Sequence, residues 1–188
     1  AAWILKQPRL IGEGITVLVG PGHNGGDGLV LARELHLAKV NVSIWCPLPI
    51  NKLLTKRHLS YANWLGIKQL GNSPEVNDPS LWVDAIFGLG QSRCLPDNIA
   101  RLFKLRERSF PKKLISLDVP SGICSDKGEP FNNSAAYASY TLTVGLVKQG
   151  LIQDNAIDFV GNLIRIDIGI PDFLLQKLPK FQTQKITF

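Results

Sequence analysis

Cysteine is scarce in this 188-residue chain: Cys46, Cys94 and Cys124 are far apart and odd in number. No CxxC pair or zinc-ligand spacing occurs, which argues against a disulfide framework and a zinc site and for a reducing interior. Methionine is absent altogether, the initiator included, as in a trimmed or excised domain. No apolar run approaches the ~20 residues of a membrane span. The opening AAWILKQPRL has too short an apolar core for a signal peptide. These absences predict a soluble cytoplasmic domain with no membrane partner. Acids are in deficit, 15 against 21 Lys and Arg, for a net charge of +6. The positives are scattered, and the denser groups at Lys112-Lys113 and Lys177 to Lys185 have no interleaved aromatic platform. A solvated basic surface is the expectation, with no nucleic-acid partner. Internal repeats, linkers and low-complexity tracts are also missing, so the length predicts one domain, 1–188, with a sizeable core.

What the chain does contain is an alternation of strand-like and helix-like segments. Strands are predicted at Thr16–Val19, Val40–Trp45, Ile67–Leu70, Leu81–Phe87, Leu114–Val119, Tyr140–Val144 and Leu163–Ile168. Helices are predicted at Asp27–Leu37, Pro49–Trp64 and Pro96–Glu107, the last with proline at its start. Leu29, Val30, Ala32, Arg33 and Leu37 give the first of these its helical spacing. Ala1 to Leu5 reads as the end of a helix stopped by Pro8. Such alternation argues a doubly wound α/β sheet. In these sheets ligands bind beyond the carboxyl ends of the strands. The turn after Val19, the loop after Phe87 and the loop after Leu117 all fall on that edge. Asn24, Asp84, Asp118 and Ser121 fall there too.

The stretch VLVGPGHNGGDGLVLAR, Val17 to Arg33, organises that edge. A buried strand runs into a glycine turn and then into a helix. Gly20, Gly22 and Gly25 spell G-x-G-x-x-G, yet the second strand ends Ile44-Trp45-Cys46-Pro47 without the acid that a dinucleotide site uses for the ribose. No arginine stands between Cys46 and Lys52 either. A P-loop is excluded, because no Lys-Ser or Lys-Thr follows the glycines. Inside the turn, Asn24 offers an amide oxygen and an amide donor. Asp27 is readable as a helix N-cap, and His23 as a solvated loop residue or a ligand contact.

These residues carry a family resemblance. GPGHNGGDGLVLAR resembles the signature of the YjeF N-terminal domain, the NAD(P)H-hydrate epimerases. VDAIFGLGQSR, SLDVPSGI, TLTVGLVKQGL and GNLIRIDIGIP resemble that family's further segments, in the same order, from about Val17 to Pro171. The resemblance implies a Rossmann-like three-layer α/β/α sandwich with a mostly parallel central sheet. It implies an isomerase that interconverts the R and S forms of NADHX and NADPHX, the hydrated and damaged nicotinamide cofactors. Here NAD(P)HX is substrate rather than cofactor, and one potassium ion per subunit is the implied cofactor. Asn24, Asp84 and Ser121 match the family's potassium ligands. His23, Asn24, Gly25, Gly26, Asp27, Gly88, Leu89, Gly90, Gln91, Ser92, Arg93, Cys94 and Asp118 match its substrate-binding positions. Asp118 matches the acid–base residue and Lys148 a lysine beside the substrate. A homodimer and a fused or separate NAD(P)HX dehydratase are the implied partners, with the tail 172–188 as a connection to such a domain. His23 departs from the family's usual Asn.

The chemistry of the residues agrees. Potassium is a hard cation that takes several oxygen ligands, backbone carbonyls included. An amide, a carboxylate and a hydroxyl on one edge can supply some of them. Inverting a hemiaminal carbon needs one group that gives and takes a proton at its oxygen. Each residue also has a plainer reading: Asp84 as a strand-end acid capping backbone N–H groups, Ser121 as a turn residue, Lys148 as a solvated lysine. The competing function is a non-catalytic interaction domain of the same fold, with protein or RNA-related partners. A generic nucleotide-binding domain is a third reading. Retention of Asn24, Asp84, Asp118, Ser121 and Lys148 favours the enzyme, since a scaffold has no physical need of them.

Overall fold

Among the described residues, seven strands, all parallel, form one sheet. The strands are β1 Ile15–Val19, β2 Val42–Trp45, β3 Lys68–Leu70, β4 Leu81–Ala85, β5 Leu114–Leu117, β6 Tyr140–Val144 and β7 Asn162–Ile166, in the order β3-β2-β1-β4-β5-β6-β7. The structure is a computed structural model that describes residues 1–175. The predicted connection at 172–188 lies mostly outside the described residues.

β1 and β4 are buried on both faces, as strands of a parallel sheet must be. Alternation within them sends side chains to two separate cores. Val17, Val19 and Val83 pack on one face with Leu29, Ala32 and Leu35 of helix α3, His23–Leu37. Leu18 and Trp82 pack on the other with Ile99, Leu102 and Phe103 of helix α5, Asp97–Ser109. A third cluster, around Val119, Ile123, Val147 and Leu163, supports the β6–β7 end. Helix α4, Leu53–Trp64, lies beside α3. Among the described residues no helix is long and apolar enough to cross a membrane.

The periodicity of α3 is only partly as predicted. Leu29, Ala32 and Leu35 form the buried stripe, whereas Leu37 is exposed, because it lies off the 29–32–35 line. At the start of the chain, Pro8 does not simply end a helix. It opens a second short one, α2, Pro8–Ile11, after α1, Ala2–Leu5; proline's missing N–H costs nothing in a first turn.

The polar connection before β4 is held by a side chain that looks like an ordinary surface cation along the chain. Arg106 of α5 is fully buried. Its guanidinium donates to the carbonyls of Val76 at 2.9 Å, Asp78 at 2.6 Å and Ser80 at 2.5 Å, and lies over the Trp82 and Phe110 rings. Burial brings its pKa down to about 10, so it remains charged at neutral pH. Arg106→Met should strand three carbonyls, that of Ser80 buried, and cost about 3 kcal/mol, read as a lower denaturant midpoint at unchanged m-value.

The chain leaves β1 in both directions, to β2 and β3 on one side and to β4 through β7 on the other. The β1/β4 boundary is therefore the topological switch point, where loops diverge and a crevice opens above the strand ends.

Candidate active site at the switch point

The glycine turn forms one wall of the crevice. Gly20 N–H donates to Ala85 O at 3.0 Å, and a Cβ on Gly20 would lie 1.7 Å from Ile86 O. The chain then turns directly into α3, which begins at His23. This is four residues before the predicted start, so Asn24, Gly25, Gly26 and Asp27 are helical. Glycine's poor helix propensity concealed this; packing explains it. A Cβ on Gly25 would meet Gly20 O at 2.0 Å, and one on Gly28 would meet Ala85 Cβ at 2.5 Å. The helix sits too close to its own turn and to β4 for any larger residue. Asp27 is accordingly not an N-cap. Gly22 holds that position without a side-chain bond, and Asp27 lines the crevice. Its carboxyl is pushed up by loss of hydration between the walls and then by the like charge of Asp118, against the pull of His23 and His58. Its own surface is nevertheless exposed, so water screens much of that effect.

Beneath the crevice lies Asp84, fully buried in β4, in register with Leu18 of β1 and Ser116 of β5. Its carboxylate accepts from Ser121 Oγ at 2.6 Å, Ser121 N at 2.8 Å, Ser116 Oγ at 3.1 Å and Ile86 N at 3.2 Å. Burial pushes this carboxyl up from the ordinary carboxylate range, against the opposing hydrogen bonds of Ser121, Ile86 and Ser116. Ser121 Oγ also accepts from Phe87 N at 2.9 Å. Asp84 and Ser121 thereby tie the loop after β4 to the loop after β5. Asn24 reaches across from α3, its Nδ2 donating to Phe87 O at 2.9 Å and Leu117 O at 3.3 Å.

The opposite wall carries Asp118, one residue beyond β5. Its backbone is left-handed, φ 67°, a conformation that Asp and Asn tolerate better than most residues. Its Oδ2 accepts from Leu89 N at 3.1 Å and its Oδ1 from Val144 N at 3.3 Å. Lys148 Nζ forms an ion pair with Oδ1. Lys148 is itself oriented, donating to Val144 O at 2.9 Å and Thr143 Oγ1 at 3.1 Å. The pair is mostly buried, with side chains 16% and 11% exposed, so Lys148 is no solvated surface lysine.

These walls enclose a cleft of about 540 Å³. Of the predicted site residues, His23, Asn24, Asp27, Gly88, Leu89, Gly90, Gln91 and Asp118 line it. Gly25 and Gly26 are buried in α3 and act through the backbone geometry they permit. Ser92, Arg93 and Cys94 are exposed and lie outside the lining. Gln91 also staples the two loops together, donating to Pro120 O at 3.1 Å and accepting from Gly122 N at 2.6 Å. Pro21, Gly22, Lys52, Ile86 and Phe87, none of them among the predicted site residues, complete the lining. Pro21 and Gly22 lie inside the predicted glycine turn, and Ile86 and Phe87 inside the strand predicted at Leu81–Phe87, so the segments that carry them are as predicted although their place in the lining is not. Lys52 arrives through α4, whose Thr55 Oγ1 donates to Gly22 O at 2.9 Å and pins that helix to the glycine turn.

An all-parallel sheet wound in both directions, with a cleft over its switch point, defines a Rossmann-like α/β domain. The chain belongs to the family described as YjeF-related protein N-terminus, whose model matches residues 2–150. It is 41% identical over 160 residues to the bifunctional NAD(P)H-hydrate repair enzyme Nnr of Gloeobacter violaceus, covering 84% of this chain and 31% of that protein. It is 36% identical over 162 residues to the NAD(P)H-hydrate epimerase of Leuconostoc mesenteroides, covering 84% of this chain and 72% of that protein. The chain thus spans about a third of the length of the bifunctional relatives it matches. Its fold is similar to that of the yeast protein ynu0, with a TM-score of 0.73 at 24% identity over 95% of this chain and 74% of that one.

Proposed function

We propose that the cleft epimerises NADHX and NADPHX at the hydrated nicotinamide carbon. The observation that carries this reading is Asp118, a carboxylate held at the crevice edge by two backbone N–H groups and Lys148. The names of the relatives at 41% and 36% identity point to the same chemistry.

The reacting carbon bears a hydroxyl beside a ring nitrogen. Epimerisation requires that hydroxyl to leave and return on the other face, or the ring to open and close. On the first route the C–O bond breaks, the nitrogen lone pair fills the vacancy, and the departing oxygen takes a proton. Water then adds to the opposite face and gives its proton back. On the second route the hydroxyl gives up its proton and becomes a carbonyl as the ring C–N bond opens, the bonding pair leaving on the nitrogen, which takes up a proton; closure on the other face reverses both transfers. One fixed group serves both directions, and Asp118 is that group. Lys148 positions it and sets its charge environment. The glycine turn and the start of α3 suit the diphosphate, because first-turn N–H groups have no helical partners.

Potassium fits the donor set. Asp84 is a fully buried carboxylate with no ion pair among the described residues, and a buried charge calls for a compensating one. Asn24 faces two backbone carbonyls, those of Phe87 and Leu117, which are oxygen donors of the kind potassium takes. Asn24, Asp84 and Ser121 would hold the ion, which would supply positive charge beneath the substrate and fix the two loops. Potassium chloride should therefore raise the melting temperature more than tetramethylammonium chloride at equal ionic strength. At ten times its Kd the ion would add about 1.4 kcal/mol. Equal melting curves in the two salts would remove potassium from the site.

A homodimer, a cytoplasmic setting and a dehydratase acting on the S product complete the reading. The experiment pairs this chain with the R hydrate and a strictly S-specific dehydratase. Consumption of R that accelerates with added chain supports the epimerase; consumption at the spontaneous rate rejects it and leaves an interaction domain.

A further inference from the structure

Lys52 is a cation in the cleft lining to which the proposed chemistry gives no role. We infer that Lys52 reads the 2′-phosphate of the substrate and makes the site prefer NADPHX over NADHX. The inference rests on the epimerase reading and adds the substrate class.

The strand order fixes where each part of the substrate lies. Along the crevice the loops run in the order β2, β1, β4, β5. Asp118, after β5, marks the nicotinamide end. The glycine turn after β1 marks the diphosphate. The loop after β2 therefore stands at the adenosine end. Three strand spacings of roughly 4.8 Å separate the ends of β2 and β5, one on the β2 side of the glycine turn and two on the β5 side.

At that end the chain departs from the usual reader of an unphosphorylated ribose. A carboxylate after β2 would accept from the 2′-hydroxyl and repel a 2′-phosphate. Here β2 ends at Trp45 and runs through Cys46, Pro47, Leu48, Pro49, Ile50 and Asn51 to Lys52 with no acid. Lys52 lines the cleft, and among the described residues its ammonium has no ion pair. The Lys52 side chain is exposed, while the backbone that carries it is held. Asn51 N donates to Pro21 O at 3.4 Å, and Thr55 Oγ1 to Gly22 O at 2.9 Å, so the residues on either side are tied to the glycine turn. The free carboxylate of the cleft, Asp27, belongs to α3 on the diphosphate side. A compact ammonium is suited to a phosphate as a point charge.

The test measures kcat/KM for both hydrates with the wild-type chain, Lys52→Ala, Lys52→Arg and Lys52→Glu. Wild type should favour NADPHX by about tenfold, the worth of one charge-assisted contact. The ratio should fall toward one in Lys52→Ala through KM, persist in Lys52→Arg and invert in Lys52→Glu. It should also shrink as salt is raised. A wild-type ratio near one, or a preference that survives in Lys52→Ala, overturns the inference. Equilibrium binding of ADP-ribose and its 2′-phosphate to the same variants separates this from the epimerase reading. Without epimerisation, tighter binding of the phosphorylated probe that is lost in Lys52→Ala still supports the Lys52 site and rejects only the reaction. Equal binding of the two probes rejects the Lys52 site whatever the reaction does.

Discussion

An Asp118→Asn chain should fold normally and epimerise about 10²- to 10⁴-fold more slowly, the range lost with a general acid–base group. Folding survives because Asn accepts the left-handed backbone that Asp118 adopts at φ 67°. The amide oxygen can still accept from one of the backbone N–H groups of Leu89 and Val144. What is lost is the ability to take up and return a proton. The loss should fall on kcat, since the glycine turn on the opposite wall is untouched. An unchanged melting temperature beside the lost kcat would separate chemistry from stability. A folded Asp118→Asn chain at the full rate would remove Asp118 from the mechanism.

Gly20→Ala should cost about 4 kcal/mol or more, the range reserved for backbone collisions and buried defects. Its methyl would lie 1.7 Å from Ile86 O, 2.4 Å from Ile86 C and 2.6 Å from Ile86 Cα. All three are backbone atoms at the end of β4, so no side-chain rotation relieves the overlap. The strand pair would have to separate where Gly20 N–H bonds Ala85 O. That movement would lift the glycine turn away from Phe87 and the Asn24 contact. Gly22→Ala is the control, because nothing lies within 4 Å of a Cβ there and its φ of −97° suits any residue. Chemical denaturation of the two variants should show a collapsed midpoint for Gly20→Ala and a near-native one for Gly22→Ala.

Much of this architecture was legible in the residues, for physical reasons. β1, β4 and β5 are buried on both faces, so their apolar runs stood out from the polar loops. A carboxylate inside the run Leu81–Phe87 was conspicuous because an unpaired charge there is costly, and Asp84 proved to be the hub joining Ser116, Ser121 and Ile86. The plainer reading of Asp84 as a backbone cap is partly correct as well, since it accepts from the N–H groups of Ser121 and Ile86. Less was legible where tertiary contact overrides local preference. The start of α3 at His23 depends on packing against Gly20 and Ala85, which propensity does not carry. Arg106 and Lys52 look like ordinary surface cations along the chain. Only the fold buries the first against three carbonyls and brings the second to the cleft. Ser92, Arg93 and Cys94 share a segment with Gln91, but the loop turns them outward, and position in a motif did not determine direction.

The most direct test of the central claim needs no coupling enzyme. Purified R hydrate is mixed with the chain in potassium buffer, and the two epimers are separated by chromatography over time. The mixture should relax to the R and S equilibrium faster than the protein-free control, with an excess rate proportional to protein concentration that falls about 10²- to 10⁴-fold in Asp118→Asn. Relaxation at the rate of the protein-free control, with the chain folded and potassium present, would contradict the claim.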